Sequence, residues 1–219
     1  MGAIDFDLYL VTDRNQTSGR DLLWVLQQAL DGGVKAIQLR EKDLPGRDLF
    51  SLAERSHKLC QAYHAALFIN DRVDVALAVD AAGVQLSMTS LPALTARVLL
   101  GPQKIIGVST HALQEAKEAE KNGADFVLFG PVYFTASKAA YGAPQGLPVL
   151  KTIVDNIFLP VYAIGGIKSE NIEPVMKTGV RGVALISAIV GAGSPREASE
   201  KLLRQLRRRA YAGNSTDSF

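Results

Sequence analysis

The sequence predicts an α/β fold, specifically a (β/α)8 TIM barrel in a single domain. Three observations predict it. Short apolar runs recur along the chain, helical patterns fill the gaps between them, and no linker or low-complexity segment divides the 219 residues. The runs lack the clean alternation of a half-exposed sheet, which is the mark of strands buried on both faces. Strand-then-helix order, repeated eight times at even spacing, favours a closed barrel over an open doubly wound sheet.

In order, the expected strands are Phe6–Val11, Val34–Leu39, Ala66–Ile69, Gly83–Leu86, Lys104–Val108, Phe126–Phe129, Pro160–Ile164 and Gly182–Ile186. Asp21–Leu30 follows the first with Leu22, Leu23, Val25, Leu26, Ala29 and Leu30 at helical spacing. Asp48–Tyr63 is a longer amphipathic helix, and His111–Asn122 is rich in Ala, Glu and Lys, good helix formers. The pair at residues 66–86 leaves room only for a short helix. Ser194–Ala210 closes the chain, with Ser194 as N-cap and Pro195 at the first helical position. Gly32-Gly33, Gly83, Gly123 and Gly179 each stand between a helix and the next strand, where glycine ends a helix at low steric cost. The barrel is expected over residues 1–211, with 212–219, polar and small, as a disordered tail.

Composition narrows the class. Hydrophobic residues make up 47% and charged residues 21%, which excludes a disordered polyampholyte. The 24 basic and 22 acidic side chains nearly balance, which gives no footing for a nucleic-acid partner. Arg204, Arg207, Arg208 and Arg209 read as a solvated face near a helix C-terminus, with an anion patch as the alternative. One cysteine, Cys60, makes no internal disulfide, so a reducing cytoplasm is the expected location. The apolar runs are too short and too broken by charge for a membrane span, and Met1–Leu10, with two aspartates and no basic residue, does not read as a signal peptide. Nothing in the pattern sets an oligomeric state.

In such a barrel the active site lies at the carboxyl ends of the strands, so the residues that follow each run carry the chemistry. Strand one leads into Thr12-Asp13-Arg14. Strand two leads into Gln38-Leu39-Arg40-Glu41-Lys42, and alternation puts Gln38, Arg40 and Lys42 on one side. Two cations at the mouth call for an anionic ligand; salt bridges to Glu41 or Asp43 are the alternative. After strand three come Asn70 and Asp71, the latter a ligand for a divalent cation or a partner for Arg40. Asp74 belongs to the following helix. Loop four, Gln85 to Ser90, holds no carboxylate or imidazole. Ser109 caps the next helix or donates to a phosphate, and His111 reads as a helix-start or surface histidine.

Strand six leads into a loop, Thr135–Gly146, with the hydroxyl-and-cation set Thr135, Ser137 and Lys138, suited to phosphate oxygens. Strands seven and eight lead into Gly165-Gly166 and Ile186-Ser187. Those two loops commonly build a phosphate site from backbone N–H groups, and Gly-Gly permits close approach. There is no Walker A sequence, dinucleotide fingerprint, zinc spacing or nucleophile elbow. Two anion-binding clusters remain, one rich in backbone and one cationic. They would suit phosphorylated small molecules, one ligand with a phosphate and another with a diphosphate.

Thr12-Asp13, Gln38–Lys42, Asn70–Asp74, Gly107–Ser109, Gly130–Val132, Thr135–Lys138 and Ala163–Ile167, in this order, resemble thiamine-phosphate synthase over roughly residues 7–205. The resemblance also extends to the TenI-type thiazole tautomerases of the same superfamily. It implies a TIM-barrel transferase of thiamine biosynthesis. Hydroxymethylpyrimidine diphosphate is joined to hydroxyethylthiazole phosphate with Mg2+, and diphosphate is released. It further implies that diphosphate leaves first and that the thiazole nitrogen captures a pyrimidine cation. Gln38, Arg40 and Lys42 would line the pyrimidine diphosphate site and Asn70 would help to place that substrate. Asp71 would bind Mg2+, while Ser109 and Lys138 would hold the diphosphate. Thr135 and Ser137 would hold the thiazole phosphate, near Gly165, Gly166, Ile186 and Ser187. Of these, Lys138, Arg40, Lys42 and Ser109 are the implied catalytic set.

Loop four departs from that pattern. The synthase usually reads Asp-Gly-Val-His-x-Gly-Gln-x-Asp; this chain reads Ala82-Gly83-Val84-Gln85-Leu86-Ser87-Met88-Thr89-Ser90. Gln85 stands where the histidine is, and Ser90 where the second Mg2+ carboxylate is. A hydroxyl is a poorer Mg2+ ligand than a carboxylate. A TenI-like tautomerase, or a non-catalytic thiazole-phosphate-binding regulatory protein, is the alternative reading.

Overall fold

A computed structural model describes residues 4–87, 89–135 and 143–212, with side chains described through Arg207. Eight parallel strands pair in chain order and β1 closes on β8. They are β1 Leu8–Val11, β2 Ala36–Leu39, β3 Ala66–Asn70, β4 Gly83–Leu86, β5 Ile105–Thr110, β6 Phe126–Phe129, β7 Val161–Ile164 and β8 Gly182–Leu185. Each lies within two residues of the run expected for it, the usual scatter of strand ends. The helices are α1 Leu22–Asp31, α2 Gly46–Ala62, α3 Val73–Ala78, α4 Ala93–Leu100, α5 Leu113–Lys121, α6 Gly146–Val154, α7 Ile172–Lys177, α8 Ser187–Val190 and α9 Pro195–Ala212. Ala212, expected to begin the tail, is the last residue of α9, and the rest of the expected tail, 213–219, lies outside the described residues.

Strand alternation splits the apolar side chains into two cores. Leu8, Leu10, Ile37, Leu39, Leu67, Ile69, Val84 and Val127 point outward and are buried beneath the helices. Phe6, Tyr9, Phe68, Phe126 and Tyr162 point inward. Their ring centroids lie 4.9–6.3 Å apart, and the Tyr162 hydroxyl donates to the Phe6 carbonyl at 2.6 Å. Five rings fill the lumen only if their neighbours are small. Ala36, Ala66, Gly83, Gly107, Gly182 and Ala184 are those neighbours, and a Cβ on Gly107 would collide with the Phe126 ring. Truncating one such ring to alanine costs about 3–5 kcal/mol. The aromatic plug fills the amino half of the lumen.

Two local expectations hold and one is corrected. The Ser194 hydroxyl caps α9, accepting from the Glu197 amide at 3.3 Å, and Pro195 opens the helix. Gly33, Gly123 and Gly179 take left-handed conformations after their helices. Gly83 does not end a helix. It sits in β4, where a Cβ would strike the Ile105 backbone, and Asp80 supplies the left-handed turn after α3.

Candidate active site

Four polar side chains continue the inward face above the aromatic plug. Gln38 lies two residues beyond Ala36 on β2, Asn70 two beyond Phe68 on β3, Gln85 two beyond Gly83 on β4, and Ser109 two beyond Gly107 on β5. The register places Asn70 opposite Gln85 and Gln85 opposite Gly107. The rest of the same layer, Val11 from β1, Leu128 from β6, Ile164 from β7 and Ile186 just past β8, is apolar. The floor of the mouth is thus polar along one arc and apolar along the other.

Each floor amide is held. Gln38, fully buried, donates to the Tyr9 hydroxyl at 3.4 Å, and burial pushes that phenol well above its ordinary pKa. Gln85, also buried, donates from Nε2 to Ser109 Oγ at 3.1 Å. Its Oε1 has no hydrogen-bond partner among the described residues and faces the Cα of Gly107, where only a residue without a side chain leaves room. Ser109 therefore belongs to β5 and the barrel floor; it does not cap α5.

Arg40 and Lys42 follow Gln38 at two-residue steps, just past the carboxyl end of β2. Glu41, on the opposite parity to Arg40 and Lys42, turns outward and is buried. It accepts from the Thr12 hydroxyl at 2.6 Å, the Arg14 amide at 3.1 and 3.2 Å, and Arg14 Nη1 at 3.2 Å. Arg14 also grips Asp43 with two bonds of 2.6 Å and holds that carboxyl below the usual range. Glu41 and Asp43, the acids on either side of Lys42 in the sequence, are both taken by Arg14. Arg40 forms no salt bridge among the described residues, and its amide donates to Thr12 Oγ1 at 2.9 Å. Lys42 lies beyond the strand end, half exposed, 3.8 Å from Asp71. Asp71 thus faces Lys42 and not Arg40, which corrects one of the pairings expected for it.

Asp71 sits at a left-handed position fixed by its amide bond to the Gln85 carbonyl at 3.0 Å. Its carboxylate accepts from Asn70 Nδ2 at 2.8 Å, from the Ser87 amide at 3.1 Å and, in a short bond, from the Ser90 hydroxyl. Ser90 therefore does reach the acidic corner, as a donor. A cavity of about 220 Å3 runs from here between Leu39, Lys42, Leu44, Asn70, Asp71 and Arg72. Arg72 is bound to Asp74 on α3, and its guanidinium holds that carboxyl low. Among the described residues no group of three or more His, Cys, Asp or Glu side chains gathers. A hard cation here would draw on Asp71 and on the oxygens of a bound ligand, the way Mg2+ is commonly held. The residues present fit that mode.

The far arc brings three loops together. Gly165 and Gly166 have φ of 101° and 64°, and the chain from β6 lies against them. Val132 and Tyr133 donate to the carbonyls of Ile164 and Gly165 at 2.9 and 3.0 Å. A Cβ on Gly165 would come within 2.6 Å of Pro131, and one on Gly166 within 2.7 Å of the Phe134 carbonyl. The start of the β6 loop, to Thr135, therefore runs beside the glycine pair. Ser137 and Lys138 lie outside the described residues. Ile186 is the N-cap of α8, and Ser187, exposed, is its first residue. Arg20 clamps the far end of this short helix, donating to the carbonyls of Val190 at 2.9 Å and Ala192 at 2.7 Å. His111 is exposed, as expected of a surface histidine; its ring Nδ1 meets the Gly130 carbonyl, and its backbone amide donates to the Glu115 carboxylate.

Sequence reasoning did not find the Thr12–Glu41–Arg14 clip or Arg20. Parity held a signal for the first: an acid on the outward face of a buried strand end needs a partner. Arg20 left none.

A parallel barrel with cations, amides and a glycine turn at its carboxyl rim is a (β/α)8 protein for small phosphorylated molecules. The family model described as thiamine monophosphate synthase matches residues 8–189. A putative thiamine-phosphate synthase of Geobacter sulfurreducens is 52% identical over 94% of this chain and 97% of its own length. The thiamine-phosphate synthase of Alkaliphilus oremlandii is 43% identical over 91% and 95%. The solved thiamine phosphate pyrophosphorylase of Pyrococcus furiosus superposes with a TM-score of 0.85 at 41% identity, covering 93% and 96%. The chain belongs to the thiamine monophosphate synthase family. No helix among the described residues is long and apolar enough to cross a membrane.

Proposed function

We propose that the protein is a thiamine-phosphate synthase, joining hydroxymethylpyrimidine diphosphate to hydroxyethylthiazole phosphate and releasing diphosphate. The observation that carries this reading is Arg40, which follows β2 at its carboxyl end and forms no salt bridge among the described residues, Arg14 holding Glu41 and Asp43. Such a charge is stabilised by an anionic ligand.

In this reading Gln38 and Asn70 place the pyrimidine on the polar floor. Arg40, Lys42, Ser109 and Lys138 bind the diphosphate and stabilise the charge that grows as its C–O bond breaks. The bonding electrons leave with the diphosphate oxygen, and the thiazole nitrogen supplies the pair for the new C–N bond. Thr135 and Ser137, with the Gly165-Gly166 turn, Ile186 and Ser187, hold the thiazole phosphate across the mouth. Mg2+ bound by Asp71 and diphosphate oxygens would add neutralising charge to the leaving group. The apolar arc limits water near a cationic intermediate.

The Ser90 hydroxyl on Asp71 favours a second reading, a TenI-like protein that binds the thiazole phosphate without synthase turnover. Incubation of pure protein with both substrates and Mg2+ separates the two. Thiamine phosphate formed well above a Lys138→Ala control supports the synthase. No product, together with calorimetric binding of the thiazole phosphate, supports the second reading.

A further inference from the structure

Thr12 stands one residue past the end of β1 and is fully buried. Val11 before it points inward, so Thr12 falls on the outward parity and does not itself line the mouth. Its backbone amide donates to the Gln38 carbonyl at 2.9 Å and closes the β1–β2 ladder. In a parallel ladder the next rung would run from the Arg40 amide to the Thr12 carbonyl. The Thr12 hydroxyl takes that amide instead, at 2.9 Å. The proton of the same hydroxyl goes to Glu41 Oε1 at 2.6 Å, and Arg14 holds that carboxylate in turn through its amide and guanidinium. Thr12 thus grips strand two at alternate residues, Gln38 through its amide and Arg40 through its side chain.

The geometry points to Thr12 as a positioning residue for Arg40. Its hydroxyl, oriented by Glu41, stops β2 from extending and sets the backbone from which the Arg40 side chain departs. The role rests on the anion site proposed above, and Thr12 acts on that site only through Arg40. Without the hydroxyl, the Arg40 amide must turn to the carbonyl of residue 12 or lose its partner. Either change moves the origin of the guanidinium, and charged contacts to a ligand are sensitive to small misplacements.

A double-mutant cycle, read by calorimetric titration of inorganic diphosphate with Mg2+ into the full chain, tests it. Thr12→Val keeps the branched shape without the hydroxyl and should weaken binding roughly 3- to 10-fold, the scale of one lost hydrogen bond. Thr12→Ser keeps the hydroxyl and should bind as the wild type does. In an Arg40→Gln background, Thr12→Val should change affinity by less than about 2-fold, because the residue through which it acts is already gone. Thr12→Ala takes the place of Thr12→Val if the latter loses the wild-type circular dichroism spectrum. An equal loss in both backgrounds would assign Thr12 to the barrel at large and overturn the inference. So would wild-type affinity in Thr12→Val, or a loss that Thr12→Ser shares. A wild type that binds no diphosphate removes both the inference and the anion site. The predicted cycle in a protein that forms no thiamine phosphate supports the inference while removing the synthase reading, so the two fail separately.

Discussion

Replacing Glu41 by alanine should destabilise the protein far more than replacing its neighbour Asp43, although Arg14 binds both. Glu41 is buried and takes the Thr12 hydroxyl at 2.6 Å and the Arg14 amide at 3.1 Å. Truncation leaves a fully buried hydroxyl and a part-buried amide without an acceptor, each worth about 1–3 kcal/mol. Arg14 keeps Asp43, so no charge is stranded, and the total falls near 2–4 kcal/mol, at or below the cost of breaking a wholly buried pair. Asp43 is exposed, and an exposed pair contributes little. In equilibrium urea unfolding, with a slope of about 2–3 kcal/mol per molar for a chain of this size, Glu41→Ala should lower the midpoint by roughly 1 M at constant slope. Asp43→Ala should barely move it. The clip also sets the backbone that carries Arg40 and Lys42, so Glu41→Ala should raise KM for the diphosphate substrate. Equal midpoints for the two variants would refute the reasoning.

Three further outcomes are expected. Ser90→Asp sets a second carboxylate beside Asp71; the Mg2+ concentration for half-maximal turnover should fall several-fold, and an unchanged Mg2+ titration would mean that another group already fills that role. Gln85→Leu removes the donor to Ser109 but also an amide whose Oε1 has no partner among the described residues, so stability should change little while KM for the diphosphate substrate rises; a large loss of stability with KM unchanged would make Gln85 purely structural. Burial pushes the Cys60 thiol from 9.0 up to about 12. Its contribution to stability is complete below pH 9 and is lost as pH rises toward 12, because the unfolded thiol ionises first. From pH 8 to pH 10 the wild type should lose roughly 1.4 kcal/mol more than Cys60→Ala, and parallel pH curves for the two would remove that assignment.

The barrel was legible because the strands are short, largely apolar runs buried on both faces, a local property that needs no knowledge of neighbours. Helix ends with a local cap, such as Ser194-Pro195, were legible for the same reason. Gly83 was misread because its requirement is a close approach by Ile105 on the next strand, which no local pattern records. Placing Gln38, Asn70 and Ser109 at the rim needed only parity and strand order. The pairings at the rim were less accessible. Arg14 reaches Glu41 and Asp43 across more than 25 positions, and Lys42 rather than Arg40 faces Asp71, because side-chain partners depend on register and loop path. Residue identity at position 90 revealed a missing carboxylate; only the fold shows that the hydroxyl there donates to Asp71.

Calorimetric titration of inorganic diphosphate with Mg2+ tests most directly whether the cations of strand two face a shared anion site. Arg40→Gln and Lys42→Met each remove a charged contact worth about 1.5–3 kcal/mol, so each should weaken binding roughly 10- to 100-fold. Arg72→Met, whose guanidinium is already spent on Asp74, should change it little. Affinity unchanged in both strand-two variants would contradict the account.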